Sequence, residues 1–262
     1  MTYETMTYEV ADSIATITLN RPDDANALDL QMSKDLFDVA VKCDEDPAVR
    51  AVILTGTGKM FCAGGDIAYF STKGDQLPSM VKHMTMYLHG AVSRLNRMNP
   101  PVICAINGTA AGAGFSLAIM GDIVMAAEHA KFTMAYTRLG VSPDGSSSYF
   151  LPRRVGTKRA LDLMLTNRLL SAAEAESWGM VDYVHPGESL MDEARKMAAM
   201  FTEGPTLAYG RVKNLLHDSM HETLESQMER ETVGIAESMR SADGREGVDA
   251  FVNKRKPVFK GE

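Results

Sequence analysis

The amino-acid sequence predicts an α/β fold in which a core of strands and helices is followed by a helical C-terminal region. In the first half of the chain, short apolar runs that end at turn residues alternate with an amphipathic helical stretch, an order typical of packed α/β layers. Beyond about residue 155, apolar residues recur with helical spacing instead. We therefore predict an αβ core over residues 1–190 and a helical region over residues 191–262.

The strands of the core are predicted from short runs that are rich in β-branched or apolar residues. Residues 13–19 form such a run and stop at Asn20-Arg21-Pro22, so they predict a strand that enters a turn. Residues 29–43 place Leu30 and Leu36 on one face and predict a helix. Further strands are predicted at 51–55, 102–106, 122–127 and 131–136.

The second half of the chain carries helix start and stop signals. Ser171-Ala172-Ala173-Glu174 forms a capping box, whose side chains bond the first free N–H groups of a helix, and Gly179 is suited to end that helix. Amphipathic patterns predict later helices at 190–202, 206–217 and 221–240.

Composition limits the classes of protein to which the chain can belong. With 27 Lys+Arg against 34 Asp+Glu, the net charge of -7 argues against a nucleic-acid partner. The three cysteines, Cys43, Cys62 and Cys104, are dispersed, so we expect neither a disulfide framework nor a zinc site. This pattern fits a reducing cytosol, and we expect a cytoplasmic protein. The sequence shows no apolar run long enough for a membrane span and no secretory signal, so no membrane partner is expected.

Two glycine-rich turns follow buried strands and are the first candidates for chemistry. The turns lie at 61–67 (FCAGGDI) and 107–114 (NGTAAGAG). Small residues let a ligand approach the backbone and leave N–H groups pointing outward. Two N–H groups that meet at one point would stabilise an oxyanion, worth about 3–4 kcal/mol per donor. Glycine-rich turns also serve tight packing, and the turns alone leave both interpretations open.

These turns belong to a series of motifs that runs through nearly the whole chain. The series comprises Arg21-Pro22 with Asn26-Ala27-Leu28, FCAGGDI at 61–67, PVICAINGTAAGAGFSLA at 101–118, LGVSPDGSSSYFLPRRVG at 139–156, LTNRLLSAAEAESWGMVDYV at 165–184 and REGVDAFVNKRKPVF at 245–259. In order and spacing it resembles the crotonase (enoyl-CoA hydratase/isomerase) superfamily. The resemblance implies a ClpP-like spiral of ββα units with a C-terminal helical trimerisation region. We accordingly expect a homotrimer or a dimer of trimers, with the apolar stripe of Leu190, Met197 and Met200 buried against other subunits.

The resemblance also implies the substrate and the residues that bind it. Members polarise the carbonyl of an acyl-CoA thioester between two backbone N–H groups, which fall here on Gly65 and Ala113. Coenzyme A enters as part of the substrate, and neither a prosthetic group nor a metal is expected. The residues that fall at the coenzyme A positions are Ala63, Gly64, Asp66, Ile67, Gly112 and Gly114.

The catalytic carboxylates are where this chain departs from the hydratases of the family. Hydratases use two glutamates to activate water, and Ser116 and Tyr136 occupy those places here. Neither is a carboxylate, so hydration by the usual route is not expected. Both residues are instead expected to line the substrate pocket, together with Pro143.

Asp144, in Pro143-Asp144-Gly145, is the leading candidate for the catalytic carboxylate. The segment resembles phenylacetate-pathway ring-epoxide and enoyl-CoA isomerases, in which one Asp removes a proton and returns it two carbons away. Chlorobenzoyl-CoA dehalogenases are an alternative, because they use an Asp here as a nucleophile with an upstream His that matches His89. Two further alternatives stay open: Pro-Asp-Gly is a common turn, and a chain without the two glutamates can be a degenerate subunit that only binds CoA esters.

Overall fold

The computed structural model describes residues 3–262 and has an α/β core with helices at its C-terminal end. Within this range ten strands are, in chain order, β1 (Met6–Ala11), β2 (Ile14–Leu19), β3 (Ala51–Gly56), β4 (Met60–Cys62), β5 (Val102–Ile106), β6 (Thr109–Ala111), β7 (Ile123–Ala127), β8 (Lys131–Thr133), β9 (Leu170–Ser171) and β10 (Tyr183–His185). The helices of the same range are α1 (Leu30–Glu45), α2 (Ile67–Ser71), α3 (Leu77–Arg97), α4 (Ala113–Ala118), α5 (Ser147–Val155), α6 (Thr157–Thr166), α7 (Ala172–Ser177), α8 (Leu190–Thr202), α9 (Thr206–Ser219), α10 (Leu224–Arg240) and α11 (Ala242–Val252).

The larger sheet has six strands in the order β1-β2-β3-β5-β7-β10. Its pairs are parallel except β1 with β2, where Met6 faces Leu19 in antiparallel register. The central strands β3 and β5 are apolar and buried along nearly their whole length, as is typical of parallel strands covered on both faces. The predicted strands at 13–19, 51–55, 102–106 and 122–127 are confirmed as members of this sheet.

A smaller sheet, β4-β6-β8-β9, repeats the order of the larger one. Each central strand of the large sheet is followed by a short strand of the small sheet and then by a helix, so β3-β4, β5-β6 and β7-β8 begin three successive ββα units. Because β4, β6 and β8 pair in parallel, their carboxyl ends meet at one edge, where ligands bind in open α/β sheets. The segments that follow these strands are thereby brought side by side.

Local signals explain where several helices begin. The Asp29 side chain accepts a hydrogen bond from Met32 N at 2.7 Å and caps α1. Ser171 Oγ accepts from Glu174 N at 3.2 Å, which confirms the predicted cap of α7. The predicted helices at 190–202 and 206–217 are confirmed as α8 and α9, and α10 begins at Leu224 rather than at residue 221.

One predicted strand boundary is wrong, and the expected packing of the apolar stripe on α8 is wrong for two of its three residues. The strand predicted at 131–136 ends at Thr133, because Ala135 adopts φ 57° and Tyr136 begins a 3₁₀ helix, Tyr136–Leu139. The stripe expected at a subunit interface packs differently: Leu190 is 1% exposed within the chain's own core, and Met197 packs against that core. Met200 is exposed. α8 contacts β3, β5 and β7 of the large sheet, which explains why its apolar face is covered.

The division at residue 190 and the trimeric assembly stay predictions. Among the helices of residues 3–262, none combines the length and the apolar character that crossing a membrane requires.

Candidate active site

The first glycine-rich turn follows β4 and is held by main-chain hydrogen bonds to the Asn26-Ala27-Leu28 segment. Leu28 N donates to Gly64 O at 2.7 Å, and Asp66 N donates to Leu28 O at 2.9 Å. These bonds use the atoms on either side of Gly65 and leave its own N–H without an acceptor in the part of the chain that the structure describes. The Gly65 N–H is therefore available to a ligand.

The second turn follows β6 and opens α4. Gly112 adopts φ 52° and ψ -126°, a conformation that needs glycine, and its N–H donates to Thr133 O of β8 at 3.1 Å. Ala113 is the first residue of α4, so its N–H has no partner within the helix. No other acceptor for it is found within residues 3–262.

The two turns contact each other directly. A β-carbon added at Gly64 would lie 2.7 Å from Ala111 O and 3.1 Å from Ala113 N. One added at Gly114 would lie 2.2 Å from Cys62 O. The small residues thus have a packing role, and this packing brings the turns that carry the Gly65 and Ala113 N–H groups into contact. Binding of one thioester oxygen by both groups stays a prediction.

Asp144 lies between the two positions where hydratases carry glutamates. Tyr136 Oη donates to Asp144 Oδ1 at 2.6 Å, and Ser116 Oγ donates to the Asp144 carbonyl oxygen at 2.8 Å. Ser116 Oγ and Tyr136 Oη are 3.1 Å apart. Ser116 on α4, Tyr136 after β8 and Asp144 in the loop before α5 therefore form one hydrogen-bonded cluster.

Tyr136 keeps its proton in this cluster. Its side chain is 8% exposed, and burial, followed by the negative charge of Asp144, raises the pKa of Tyr136 far above its ordinary value. The hydroxyl is therefore a hydrogen-bond donor to the carboxylate at any pH at which the enzyme would work. It does not serve as a general base.

His89 joins the same cluster from α3. Gly145 N donates to His89 Nε2 at 3.2 Å, although the imidazole is otherwise exposed. Gly145 adopts φ 60°, and a β-carbon there would lie 2.9 Å from the Ser116 Cβ. The residue after Asp144 must therefore be glycine for the loop to approach α4 this closely.

A cavity of about 560 Å³ borders Asp144. Its walls come from α3, from the segment 143–150 and from the end of α9. The residues that line it are His89, Val92, Ser93, Asn96, Arg97, Pro143, Asp144, Gly145, Ser146, Ser148, Tyr149, Phe150, His217 and His221. Gly65, Ala113, Ser116 and Tyr136 are not among the residues that line this cavity. Pro143 lies in its wall, and the expectation that Ser116, Tyr136 and Pro143 line the substrate pocket stays a prediction.

The residues at the coenzyme A positions differ in what their side chains offer. Ile67 is 48% exposed and available. Asp66 is occupied, because its Oδ1 accepts from Tyr69 N at 2.8 Å and its Oδ2 pairs with Arg21 at 3.0 Å. Ala63 N donates to Ala25 O at 3.0 Å. Coenzyme A binding by this segment stays a prediction. Across residues 3–262, no group of three or more His, Cys, Asp or Glu side chains is arranged to hold a metal.

Sequence reasoning missed the residues that support the site. Asn26 is fully buried, and its side-chain amide donates to Met60 O and Phe61 O, each within 3.2 Å, which fixes the strand that leads into the first turn. Ser147 Oγ donates to Asp144 O at 3.0 Å. The Asn26-Ala27-Leu28 motif was a signal for the first of these contacts. Ser147 lies within the motif at 139–156, which does not indicate the atom that its hydroxyl would contact.

Neither Cys62 nor the basic residues near the C-terminus are arranged for catalysis. Burial raises the pKa of the Cys62 thiol to about 12, which disfavours the thiolate. Two of the basic residues near the C-terminus are paired within the chain: Arg255 contacts Glu246 and Asp249, and Lys256 contacts Glu203.

Known proteins resemble this chain over nearly its whole length. The family described as enoyl-CoA hydratase/isomerase matches residues 9–262. The 1,2-epoxyphenylacetyl-CoA isomerase of Escherichia coli is 39% identical over 97% of each chain. The 4-chlorobenzoyl coenzyme A dehalogenase-2 of Arthrobacter sp. is 32% identical over 94% of this chain and 90% of its own. Among solved structures, the enoyl-CoA hydratase of Bacillus anthracis covers 99% of this chain and 100% of its own, with 31% identity and a TM-score of 0.92. The predicted fold is thereby confirmed.

Proposed function

The chain belongs to the enoyl-CoA hydratase/isomerase family of acyl-CoA enzymes, and we propose that it shifts the double bond of an enoyl-CoA, with Asp144 as the acid and base. The observation that carries the proposal is the cluster around Asp144. Both hydratase glutamate positions hold hydroxyl residues, Ser116 and Tyr136, and both of them hydrogen-bond to Asp144. The site thus presents one carboxylate where a hydratase needs two.

One carboxylate is enough for a proton shift. Asp144 takes a proton from the carbon next to the thioester, and the C–H electron pair moves to the carbonyl oxygen. The N–H groups of Gly65 and Ala113 stabilise the enolate oxygen. Asp144 then returns the same proton two carbons away, the electrons move back from the oxygen, and the double bond ends in conjugation with the thioester.

The test is the conversion of a 3-enoyl-CoA to the conjugated 2-enoyl-CoA, followed by ultraviolet absorbance. We expect turnover by the parent protein and very slow hydration of crotonyl-CoA, because general acid–base groups contribute about 10²–10⁴-fold each. Asp144→Asn should lower the isomerisation rate by about 10²–10⁴-fold while binding of a saturated acyl-CoA, measured by calorimetry, stays within a few fold. Asp192→Asn, on the exposed face of α8, is the matched control. Fast hydration, or an active Asp144→Asn variant, would contradict the proposal.

Hydrolytic dehalogenation is a second candidate, favoured by the presence of His89 beside the Asp144 loop. In that reaction the carboxylate attacks the acyl ring, halide leaves, and water hydrolyses the resulting ester. Turnover in H₂¹⁸O separates the candidates, because hydrolysis places an oxygen that originates from solvent in the product and a proton shift does not. A chain that binds acyl-CoA esters and turns over neither substrate would be a binding subunit.

A further inference from the structure

We propose that Tyr136 and His89 are positioning residues that hold Asp144 from two sides, so that one carboxylate oxygen, Oδ2, carries the proton. This inference rests on the proposed function of the same site. In this inference His89 positions the Asp144 loop and does not act as a general base. The arrangement of Tyr136, Asp144, Gly145 and His89 is called the Asp144 clamp below.

In the Asp144 clamp, Tyr136 donates a hydrogen bond to the Oδ1 atom of Asp144. The bond from Tyr136 Oη is 2.6 Å long, a length typical of a charge-assisted bond from a hydroxyl to a carboxylate. Oδ2 has no hydrogen-bond partner within residues 3–262. A donor on Oδ1 stabilises the charged form of the carboxylate and makes Oδ1 the less basic oxygen. The incoming proton therefore goes to Oδ2. The bond to Tyr136 weakens when Asp144 is neutral, which favours return of the proton to the substrate.

The His89 side of the clamp fixes the peptide that follows Asp144. His89 Nε2 accepts from Gly145 N, so in the neutral ring the single proton is on Nδ1. A ring whose lone pair already accepts a hydrogen bond cannot take a proton from water unless that bond breaks. His89 in this geometry is an anchor for the loop and lacks the free lone pair that a general base needs.

The carbonyl end of the same peptide group is fixed as well. The Asp144 carbonyl oxygen accepts from Ser116 Oγ and Ser147 Oγ, at 2.8 and 3.0 Å. The loop needs such restraint, because Gly145 and Ser146 both have left-handed φ values, 60° and 79°, and a serine in that region is strained. Misplacement of a catalytic group by about 1 Å can cost about 10²-fold in rate.

The Tyr136 side is tested with Tyr136→Phe, which removes the hydroxyl and keeps the ring. We expect kcat to fall about 10- to 100-fold with KM nearly unchanged. Tyr183→Phe, at a 44% exposed position on β10, is the control and should change neither quantity. A Tyr136→Phe variant with the parent's kcat, or one whose KM rises as much as its kcat falls, would overturn this part of the clamp.

The His89 side is tested by comparing His89→Gln with His89→Ala. A glutamine Oε1 reaches about as far as His Nε2 and can accept from Gly145 N, but it cannot act as a base at neutral pH. We expect kcat of His89→Gln to stay within about 3-fold of the parent and kcat of His89→Ala to fall about 10-fold. Equal and large losses in both variants would show that His89 acts as a base and would overturn the assignment.

A readout that needs no turnover separates this inference from the proposed function. The cavity beside Asp144 is also bordered by Arg97, His217 and His221, besides His89, so a change in rate alone does not report on Asp144. The ¹³C carboxyl resonance of Asp144, assigned by its loss in Asp144→Asn, reports on this group alone. At one fixed pH it should have a different chemical shift in Tyr136→Phe than in the parent protein, because the hydrogen bond to Oδ1 is lost. If the parent fails to isomerise enoyl-CoA but this difference is present, the clamp stands and the proposed reaction falls; without the difference, the clamp falls.

Discussion

At the scale of single residues, the proposed site has Ser116 and Tyr136 at the positions where glutamates are expected in a hydratase. Both residues donate hydrogen bonds to Asp144, so they remain part of the site without being able to accept a proton at neutral pH. The sequence revealed the loss of two carboxylates. It could not reveal that the replacing hydroxyls would both bond to the one that remains.

Gly64 provides a test of the contact between the two glycine-rich turns. It adopts φ 94°, and a β-carbon would meet Ala111 O and Ala113 N. Gly64→Ala should therefore push the turns apart and lower kcat/KM for an acyl-CoA substrate by about 10²-fold or more, with a loss of thermal stability. Gly74→Ala is the control, because Gly74 also has a positive φ, 48°, with open space around it.

The Gly74→Ala control should cost about 1 kcal/mol of stability, the usual penalty for a left-handed alanine, and leave kcat/KM unchanged. Melting curves and kinetics of the two variants make the comparison. Similar kinetic losses in both would mean that the effect comes from backbone strain and not from the contact between the turns.

At the scale of elements, the site depends on the repetition of strand, short strand and helix. The parallel pairing of β4, β6 and β8 places Gly65, Ala113 and Tyr136 after neighbouring strand ends, although they are far apart in sequence. The helices then supply the remaining contacts: α3 carries His89, and α5 begins with Ser147. Removing a side-chain contact that joins two of these elements should therefore lower the free energy of unfolding of the whole core.

A buried ion pair connects α9 to this framework and gives a prediction at the same scale. Lys213 is 8% exposed, and its Nζ contacts Asp122 Oδ2 at 2.8 Å and Pro100 O at 3.0 Å. Burial lowers the pKa of Lys213, and the Asp122 carboxylate opposes that shift. Asp122→Asn leaves the lysine charge without its partner and should lower the free energy of unfolding by about 3 kcal/mol.

Lys213→Met is the matched comparison for Asp122→Asn. It removes the buried charge and leaves Asp122, which is less buried, still accepting from Val102 N at 2.8 Å. We expect a clearly smaller loss than that of Asp122→Asn in urea denaturation at a fixed protein concentration. Equal losses would indicate that the packing of the lysine stem, and not its charge, connects α9 to the sheet.

At the scale of the whole molecule, the C-terminal helices expose apolar side chains that the chain itself does not cover. On α11, Phe251 is 86% exposed and Val252 is 71% exposed, and apolar patches of this kind mark contact surfaces. Of the stripe on α8 that was expected to serve this purpose, Leu190 and Met197 pack inside the chain and only Met200 is exposed. The apolar surface on α10 and α11 is thus a better candidate for the trimer contact than the stripe predicted from the sequence.

Sedimentation tests the assembly. We expect a trimer or a hexamer for the parent protein at micromolar concentration, and dissociation toward smaller species for Phe251→Asp, because a charge in an apolar contact is costly to bury. Val10→Asp places the same charge at an exposed apolar position on β1 and should leave the assembly intact. A parent protein that sediments as a stable monomer would contradict the predicted assembly.

The sequence by itself determined the α/β fold class, four strands of the large sheet, the two glycine-rich turns and Asp144 as the candidate carboxylate. These features depend on local patterns and on ordered motifs, which can be followed along the chain. The tertiary structure decided which of the predicted residues meet: Tyr136 and His89 at the Asp144 loop, Asp66 with Arg21, and Leu190 inside the core. Such contacts depend on strand order, on helix rotation and on which atom of a side chain reaches its partner. None of these is encoded in the spacing of residues along the chain.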